Sequence, residues 1–393
     1  MLFTRKIYSQ LIKHLDQKQI TVLTGIRRSG KTTILKQLLK SIVLNNKIYL
    51  DFERLDVREL FTEKNYDNIV QVLERRGLNF KKKTYLLLDE IQLLPSVISP
   101  IKYLYDHYDV KFVLTGSSSY YLKNLFSESL AGRKKIFELY PLDFGEYLLF
   151  NNVTAKPVDL AKTKHLVAEY ERLKQHYLQY LSFGGFPEVV LAVDIEQKND
   201  LLADIISSYI SVDIKSLADF RDEQNIYKLI KLLAQRVGTR MDYSKLARSA
   251  GVSLPTVVSY VELFVKTYLV SLVPVYTSSP DKEIVKAKKL YFVDNGLLNT
   301  LADVSSGAEL ENAVYNQLRG YGNLSYYARR SGVEIDFILN DTIALEVKQT
   351  PTLFGLKKLQ RRALSIGITK SLLVGKEVAV LNKDIVWAGD LRP

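Results

Sequence analysis

The chain has no cysteine and only four histidines among 393 residues. The first absence excludes disulfides, thiolate metal sites and a thiolate nucleophile; the second argues against a zinc centre built on imidazoles. No apolar run approaches the ~20 residues that a membrane-spanning helix requires. The longest candidate, around Tyr268 to Tyr276, is short and follows Lys266. The N-terminus lacks the apolar segment of a secretory signal. Arg5, Leu11, Ile12 and Leu15 mimic a basic presequence but read better as a helix leading into the first strand. The expectation is a cytoplasmic protein with no membrane partner. Acids are the scarcer sign, 43 against 55 Lys and Arg, which leaves a net charge of +12. That excess favours a polyanionic partner such as DNA over a basic surface kept only for solubility. It lies in short clusters, at Lys81–Lys83, Arg133–Lys135, Arg329–Arg330 and Arg361–Arg362, with no basic tail.

What is present is an ordinary globular composition, 47% hydrophobic and 25% charged, long enough for two to four domains. Its most informative stretch is Gly25-Ile26-Arg27-Arg28-Ser29-Gly30-Lys31-Thr32-Thr33, which fits the phosphate-loop pattern G-x-x-x-x-G-K-[ST]. Gly25 and Gly30 let the backbone turn so that successive N–H groups, including those of Arg28, Ser29 and Thr33, face one anion. Lys31 supplies a charge for the β- and γ-phosphates of ATP, and the Thr32 hydroxyl is a hard oxygen ligand for Mg²⁺. The context agrees. Ile20, Val22 and Leu23 form a short buried strand before the loop, and Ile34, Leu35, Leu38 and Leu39 repeat at helical spacing after it.

Leu86-Leu87-Leu88-Asp89-Glu90 is an apolar strand ending in two carboxylates, as a parallel-sheet strand covered on both faces would be. Asp89 is the candidate magnesium ligand and Glu90 the candidate base for the attacking water. Ile48–Phe52 and Lys111–Thr115 read as further strands of the same sheet. The second runs into Gly116-Ser117-Ser118-Ser119, where Ser117 is a candidate polar group beside the γ-phosphate; a Gly-Ser turn is the alternative.

These segments, with Leu130-Ala131-Gly132-Arg133, Pro141-Leu142-Asp143-Phe144, Gly184-Gly185-Phe186-Pro187-Glu188 and the run Leu290 to Leu298, resemble prokaryotic AAA-type ATPases fused to a C-terminal domain of unassigned function. The resemblance spans about residues 18 to 350. It implies an α/β AAA core, and it makes Arg133 a candidate arginine finger acting in cis or, in a ring or dimer of the chain, in trans. The alternative for Arg133 is a solvated basic patch.

Downstream, Leu166, Tyr170, Leu173 and Tyr177 have helical spacing, as a lid following the core would. Asp242 to Val270 reads as a winged helix-turn-helix, with the Ala250-Gly251-Val252 turn, Ser253 as a cap and Pro255 in a first helical turn. Its second helix offers Thr256, Ser259, Tyr260 and Glu262, with Lys266 its only base, so a structural role is favoured over reading DNA bases.

Near the C-terminus, Val333–Leu339 and Ile343–Lys348 alternate with period two. A three-residue loop, Asn340-Asp341-Thr342, puts Leu339 opposite Ile343, Asp336 opposite Glu346, and Glu334 opposite Lys348. Two facing carboxylates call for a cation, and Asp336, Glu346 and Lys348 resemble the D…E-x-K signature of restriction-endonuclease-like folds. Glu311 is the candidate accessory metal ligand and Arg329–Arg330 a phosphate-backbone contact. The alternative is a solvent-facing hairpin held by a Glu334–Lys348 pair.

The domains expected are an AAA-type P-loop ATPase core (1–150), a helical lid (151–235), a winged helix-turn-helix (236–285) and an α/β restriction-endonuclease-like domain (286–393). The function expected is Mg²⁺-dependent ATP hydrolysis coupled to action on DNA. The alternative is a nucleotide-driven signalling or assembly switch with protein partners.

Overall fold

The computed structural model describes residues 3–117, 132–158, 160, 167–214, 223–277, 286–329, 332–377 and 382–392. Leu166, Ser118, Ser119, Leu130, Ala131 and Arg330, all singled out above, lie outside them. The chain divides into two compact units, one of Met1–Tyr140 with Lys266–Tyr268, the other of Pro141–Val265 with Leu269–Pro393.

The first unit is a five-stranded, all-parallel sheet in the order β2-β3-β4-β1-β5. Its strands are β1 (Ile20–Thr24), β2 (Lys47–Asp51), β3 (Thr84–Asp89), β4 (Val110–Gly116) and β5 (Lys134–Glu138). Every residue of β1, β3 and β4 is buried, as continuous apolar runs require of central strands. Alternate side chains feed two cores. Ile20, Val22, Leu86, Leu88, Phe112 and Leu114 pack under the helices Leu55–Phe61, Tyr66–Arg75 and Ile98–His107. Leu23, Leu87, Val113 and Phe137 pack under Tyr8–Leu15 and Lys31–Ser41. The N-terminal segment carrying Arg5 and Leu11 is thus a working part of the domain: Leu11 is fully buried, and Arg5 donates to the carbonyls of Ser29 (2.9 Å) and Tyr140 (2.8 Å).

The second unit begins earlier than residue 150. The helix Phe144–Phe150, capped by Asp143, belongs to it: Leu142 N–H donates to the Gly185 carbonyl (2.7 Å), and the Phe144 ring meets Tyr177 edge-on at 4.9 Å. The lid helix Val167–Phe183 ends at Gly184, whose left-handed φ of 72° suits glycine. A Cβ at Gly184 would collide with the Asp294 carboxylate, and one at Gly185 with the Leu142 carbonyl. Asp294 caps the helix Asn295–Leu301 through Leu297 N–H (3.1 Å) and also accepts from Gly185 N–H (2.6 Å). The paired glycines and the Asp294-Asn295-Gly296 motif therefore form one joint between the lid and the helix after β7 (Lys289–Phe292).

The helix-turn-helix forms as read, Tyr243–Ala250 then Leu254–Lys266, with Gly251 left-handed and the Ser253 hydroxyl accepting from Thr256 N–H (3.3 Å). The hairpin of β6 (Val270–Val273) with β7 is its wing. Tyr260 faces the core, not solvent, so the exposed side of the second helix is poorer still in base-reading groups. After the helix Ser306–Leu318 come β8 (Leu324–Ala328), β9 (Glu334–Leu339) and β10 (Ile343–Lys348) as an antiparallel meander. The helix Leu353–Leu364 then leads to β11 (Lys370–Gly375) and β12 (Ile385–Trp387), both parallel to β10, giving the order β12-β11-β10-β9-β8. Leu339 pairs with Ile343 in the expected register, and Asn340 and Asp341 turn with φ of 49° and 57°.

Candidate functional site

Because the sheet is parallel, the carboxyl ends of β1, β4 and β3 lie side by side, and the sequence motifs follow those ends. The phosphate loop leaves β1 at Gly25, where a Cβ would collide with the Leu139 carbonyl. Arg28 and Gly30 take left-handed φ of 61° and 100°, curling the loop onto the N-terminus of Lys31–Ser41. Lys31 is buried, and its ammonium donates to the carbonyls of Gly25 (3.0 Å) and Ile26 (3.1 Å). The Ser29 hydroxyl is buried without a partner, an orphan inside the loop that a phosphate oxygen would satisfy. Thr32 is half-buried at the first helical turn, next to the loop, and Thr33 is exposed.

Asp89 ends β3 almost fully buried. It accepts from the Tyr49 hydroxyl (2.8 Å) on one oxygen and from the Thr115 hydroxyl on the other. Burial first, then the bond and charge of Asp89, push Tyr49 far above the usual phenol range, so it remains a donor. The Thr115 oxygen also accepts from Glu90 N–H (3.1 Å), tying β4 to both acids. Glu90 has a left-handed φ of 53°, a costly conformation for a side-chain-bearing residue and one that clusters at working sites. Gln92 donates to the Glu90 carboxylate and to the Ser117 hydroxyl (3.1 Å). The structure thus brings Asp89, Glu90 and Ser117 into one hydrogen-bonded chain. Tyr49, Gln92 and Thr115 are its unforeseen members: Gln92 and Thr115 lie in the motifs Leu86–Gln92 and Thr115–Ser119 that carry the family resemblance, but were given no role. The Mg²⁺ fit is sound here: the donors available, Thr32 Oγ and Asp89, are hard oxygens, and the set holds no soft or nitrogen ligand.

Arg133 does not join them. It precedes β5, and its carbonyl accepts from Ile20 N–H (2.8 Å) at the start of β1. The length of β1, roughly 16 Å at 3.3 Å per residue, separates it from the loop. Its guanidinium binds Asp106 (2.7 Å) and lies over the Tyr105 ring. In this structure Arg133 therefore stands apart from the phosphate loop and the two acids.

The C-terminal acids meet in a way the sequence reading missed. Lys289 on β7, 2% exposed, reaches between Glu311 (3.2 Å), Glu334 (2.5 Å) and Asp336 (3.8 Å). Its burial pulls its pKa down, but Glu311, Asp336 and Glu334 outweigh that and hold it above the ordinary lysine value. Tyr291 donates to Glu311 (2.6 Å), and Val347 N–H donates to Asp336 (2.8 Å). Burial and then the Glu311 charge push Asp336 up to about 7, against the pull of Lys289. Glu346 is held by Lys348 (2.9 Å) and Arg362 (3.2 Å), so the expected Glu334–Lys348 pair does not form. Among the described residues no three Asp, Glu or His side chains are placed to hold a metal ion. The structure gathers Glu311, Asp336, Glu346 and Lys348, the residues read as a Mg²⁺ and nuclease set, and it adds two cations of the chain itself, Lys289 and Arg362. The cation these acids call for is the lysine ammonium.

Residues 17–148 match the model of an AAA domain, and residues 174–308 match a domain of unknown function. An uncharacterized protein of Haemophilus influenzae is 29% identical over 352 residues, covering 86% of this chain and 84% of its own. One of Methanocaldococcus jannaschii is 28% identical over 419 residues, covering 96% and 85%. Among solved structures, the Aeropyrum pernix ORC1 protein in complex with DNA aligns with 77% of this chain and 93% of its own at 15% identity, with a TM-score of 0.34, too slight a likeness to carry weight. The N-terminal unit is an AAA-type P-loop ATPase domain, joined to a C-terminal region of unassigned function.

Proposed function

We propose that the chain hydrolyses ATP with Mg²⁺ at the Lys31–Glu90 site and couples turnover to action of its second unit on DNA. One observation carries the hydrolytic part: the Thr115 hydroxyl joins the Asp89 carboxylate to the Glu90 backbone. This gives the two acids separate tasks. Asp89, locked by Tyr49 and Thr115, is positioned as a fixed anion facing the phosphate loop, and with Thr32 it would hold the metal. Bound there, Mg²⁺ would supply charge neutralisation for the β- and γ-phosphates. Glu90, half-buried and steered by Gln92, is free to orient the attacking water and receive its proton. Lys31 rests on loop carbonyls and would exchange those bonds for phosphate oxygens. The net charge of +12 supports a polyanionic partner. No cleavage step is assigned to the C-terminal acids, because Lys289 fills their centre.

The test is phosphate release by the full chain with Mg²⁺, alone and with single-stranded, duplex or branched DNA. Stimulation by any of them supports the coupling. Hydrolysis without stimulation or salt-sensitive DNA binding removes DNA and leaves the nucleotide switch.

A further inference from the structure

We propose that the cleft between the wing hairpin and the outer edge of β8 binds a single-stranded nucleic-acid segment through its phosphates and bases. The inference rests on the DNA reading above and names the surface that would carry it.

The cleft exists because the wing docks against the C-terminal sheet. Tyr276 N–H donates to the Tyr326 carbonyl (2.6 Å) and Tyr326 N–H to the Pro274 carbonyl (2.9 Å), extending β8 by one strand segment. Beyond Tyr326 the edge of β8 opens into a space of about 600 Å³. Its lining among the described residues includes Arg240, Lys286 and Arg329, all exposed, and no acid. Among the described residues neither Arg240 nor Lys286 has a carboxylate partner. Arg329 binds the Tyr327 hydroxyl, its guanidinium 5.7 Å from the ring centroid. The half-exposed Tyr327 ring, which packs against the core around Ile335 and Ile338, leaves its exposed part beside these cations.

The nearby acids do not cancel this charge. Lys289, 5.7 Å from the Tyr326 ring, is paired with Glu311 and Glu334, while Lys348 and Arg362 flank Glu346. Three cations answer four carboxylates there, so the cluster keeps most of its field to itself.

The chemistry selects a single strand. Cations at a groove with an exposed aromatic ring suit phosphates whose bases are unstacked and free to lie on that ring. Duplex reading needs an element rich in Arg, Lys, Asn or Gln in the major groove, and the exposed face of Leu254–Lys266 offers Ser259 and Glu262.

Fluorescence anisotropy of labelled oligothymidylate and of a matched duplex, titrated with the full chain at several salt concentrations, tests the proposal. Arg240→Ala with Lys286→Ala is expected to weaken single-strand binding at least tenfold. The salt slope should fall by about 1.4, since each phosphate left without its cation removes about 0.7. Tyr327→Ala should weaken it about fivefold or more, with Tyr327→Leu no better, since the loss is of a stacking face. ATP hydrolysis without DNA should be unchanged in all three, and the melting temperature in Arg240→Ala with Lys286→Ala. Unchanged single-strand affinity in both variant classes overturns this site while leaving the DNA reading intact. Equal loss of duplex and single-strand binding overturns the single-strand assignment. A wild-type chain that binds neither nucleic acid at low salt overturns both readings together.

Discussion

Lys289 is the place where the tertiary structure makes its sharpest claim. Replacing it by methionine keeps the stem and removes the ammonium that sits among Glu311, Glu334 and Asp336. Breaking a buried ionic group by removing one partner costs about 3–5 kcal/mol. Here the remaining carboxylates would also repel one another, and they relieve that by taking up protons. Asp336, already raised above its unfolded value by burial and the Glu311 charge, then moves further up. Stability from that source is present at low pH and lost as pH rises through the folded values, so the deficit of Lys289→Met should be smaller near pH 5 than near pH 8. Urea unfolding followed by tryptophan emission reads the correct unit, because Trp387, the single tryptophan, is buried in it. Without nucleotide, Mg²⁺ or Mn²⁺ should leave the wild-type transition unmoved and stabilise the variant, whose acids no longer have their internal cation. A deficit under about 1 kcal/mol at pH 8, or saturable metal stabilisation of the wild type in this transition, refutes the reasoning.

Other outcomes follow from the same geometry. Lys31→Ala should abolish nucleotide binding measured with a fluorescent ATP analogue, while Glu90→Gln should retain binding and lose phosphate release by about 10²-fold or more. Thr115→Val should depress turnover in the same way without weakening nucleotide affinity, because it frees Asp89 and Glu90 from each other; a wild-type rate would refute the bridging role. Arg133→Ala should leave turnover unaltered and cost under about 1 kcal/mol, as a part-exposed pair with Asp106 does; a large rate loss would instead require a neighbouring protomer. Asp294, raised to about 6 mainly by burial, contributes stability that is complete below its unfolded pKa of about 3.9 and lost as pH rises through 6. Asp294→Asn keeps the helix cap and should flatten that pH dependence of the second unit; an unchanged slope would assign it elsewhere.

The part of the site legible in the sequence is the part built from neighbours in the chain. The phosphate loop announces itself because glycine backbone freedom, the lysine and the threonine must fall within one turn. The β9–β10 register was legible because period-two alternation and loop length leave one pairing that buries both apolar faces. The same reasoning failed three residues further along the ladder. It placed Lys348 opposite Glu334 by extending the ladder, whereas Glu334 turns to Lys289, 45 positions away in sequence and brought close by the wing. The sequence also marked Asp143, Gly184, Gly185 and Asp294 as family features without saying why. The structure gives the reason, which is a joint so tight that any Cβ at either glycine would displace a carboxylate or a carbonyl.

Sequence alone determined that the N-terminal unit carries a phosphate-loop motif, that its sheet is parallel and doubly covered, and that acids gather again near the C-terminus. Those conclusions rest on local conformational limits and hydrophobic periodicity, which act over a few residues. Tertiary structure alone decided that Thr115 joins Asp89 to Glu90, that Arg133 stands at the far end of the sheet, and that the second acidic centre is filled by an ammonium. Each depends on which strand lies beside which, and a charge buried among others takes its partner from three-dimensional neighbours whatever their separation along the chain.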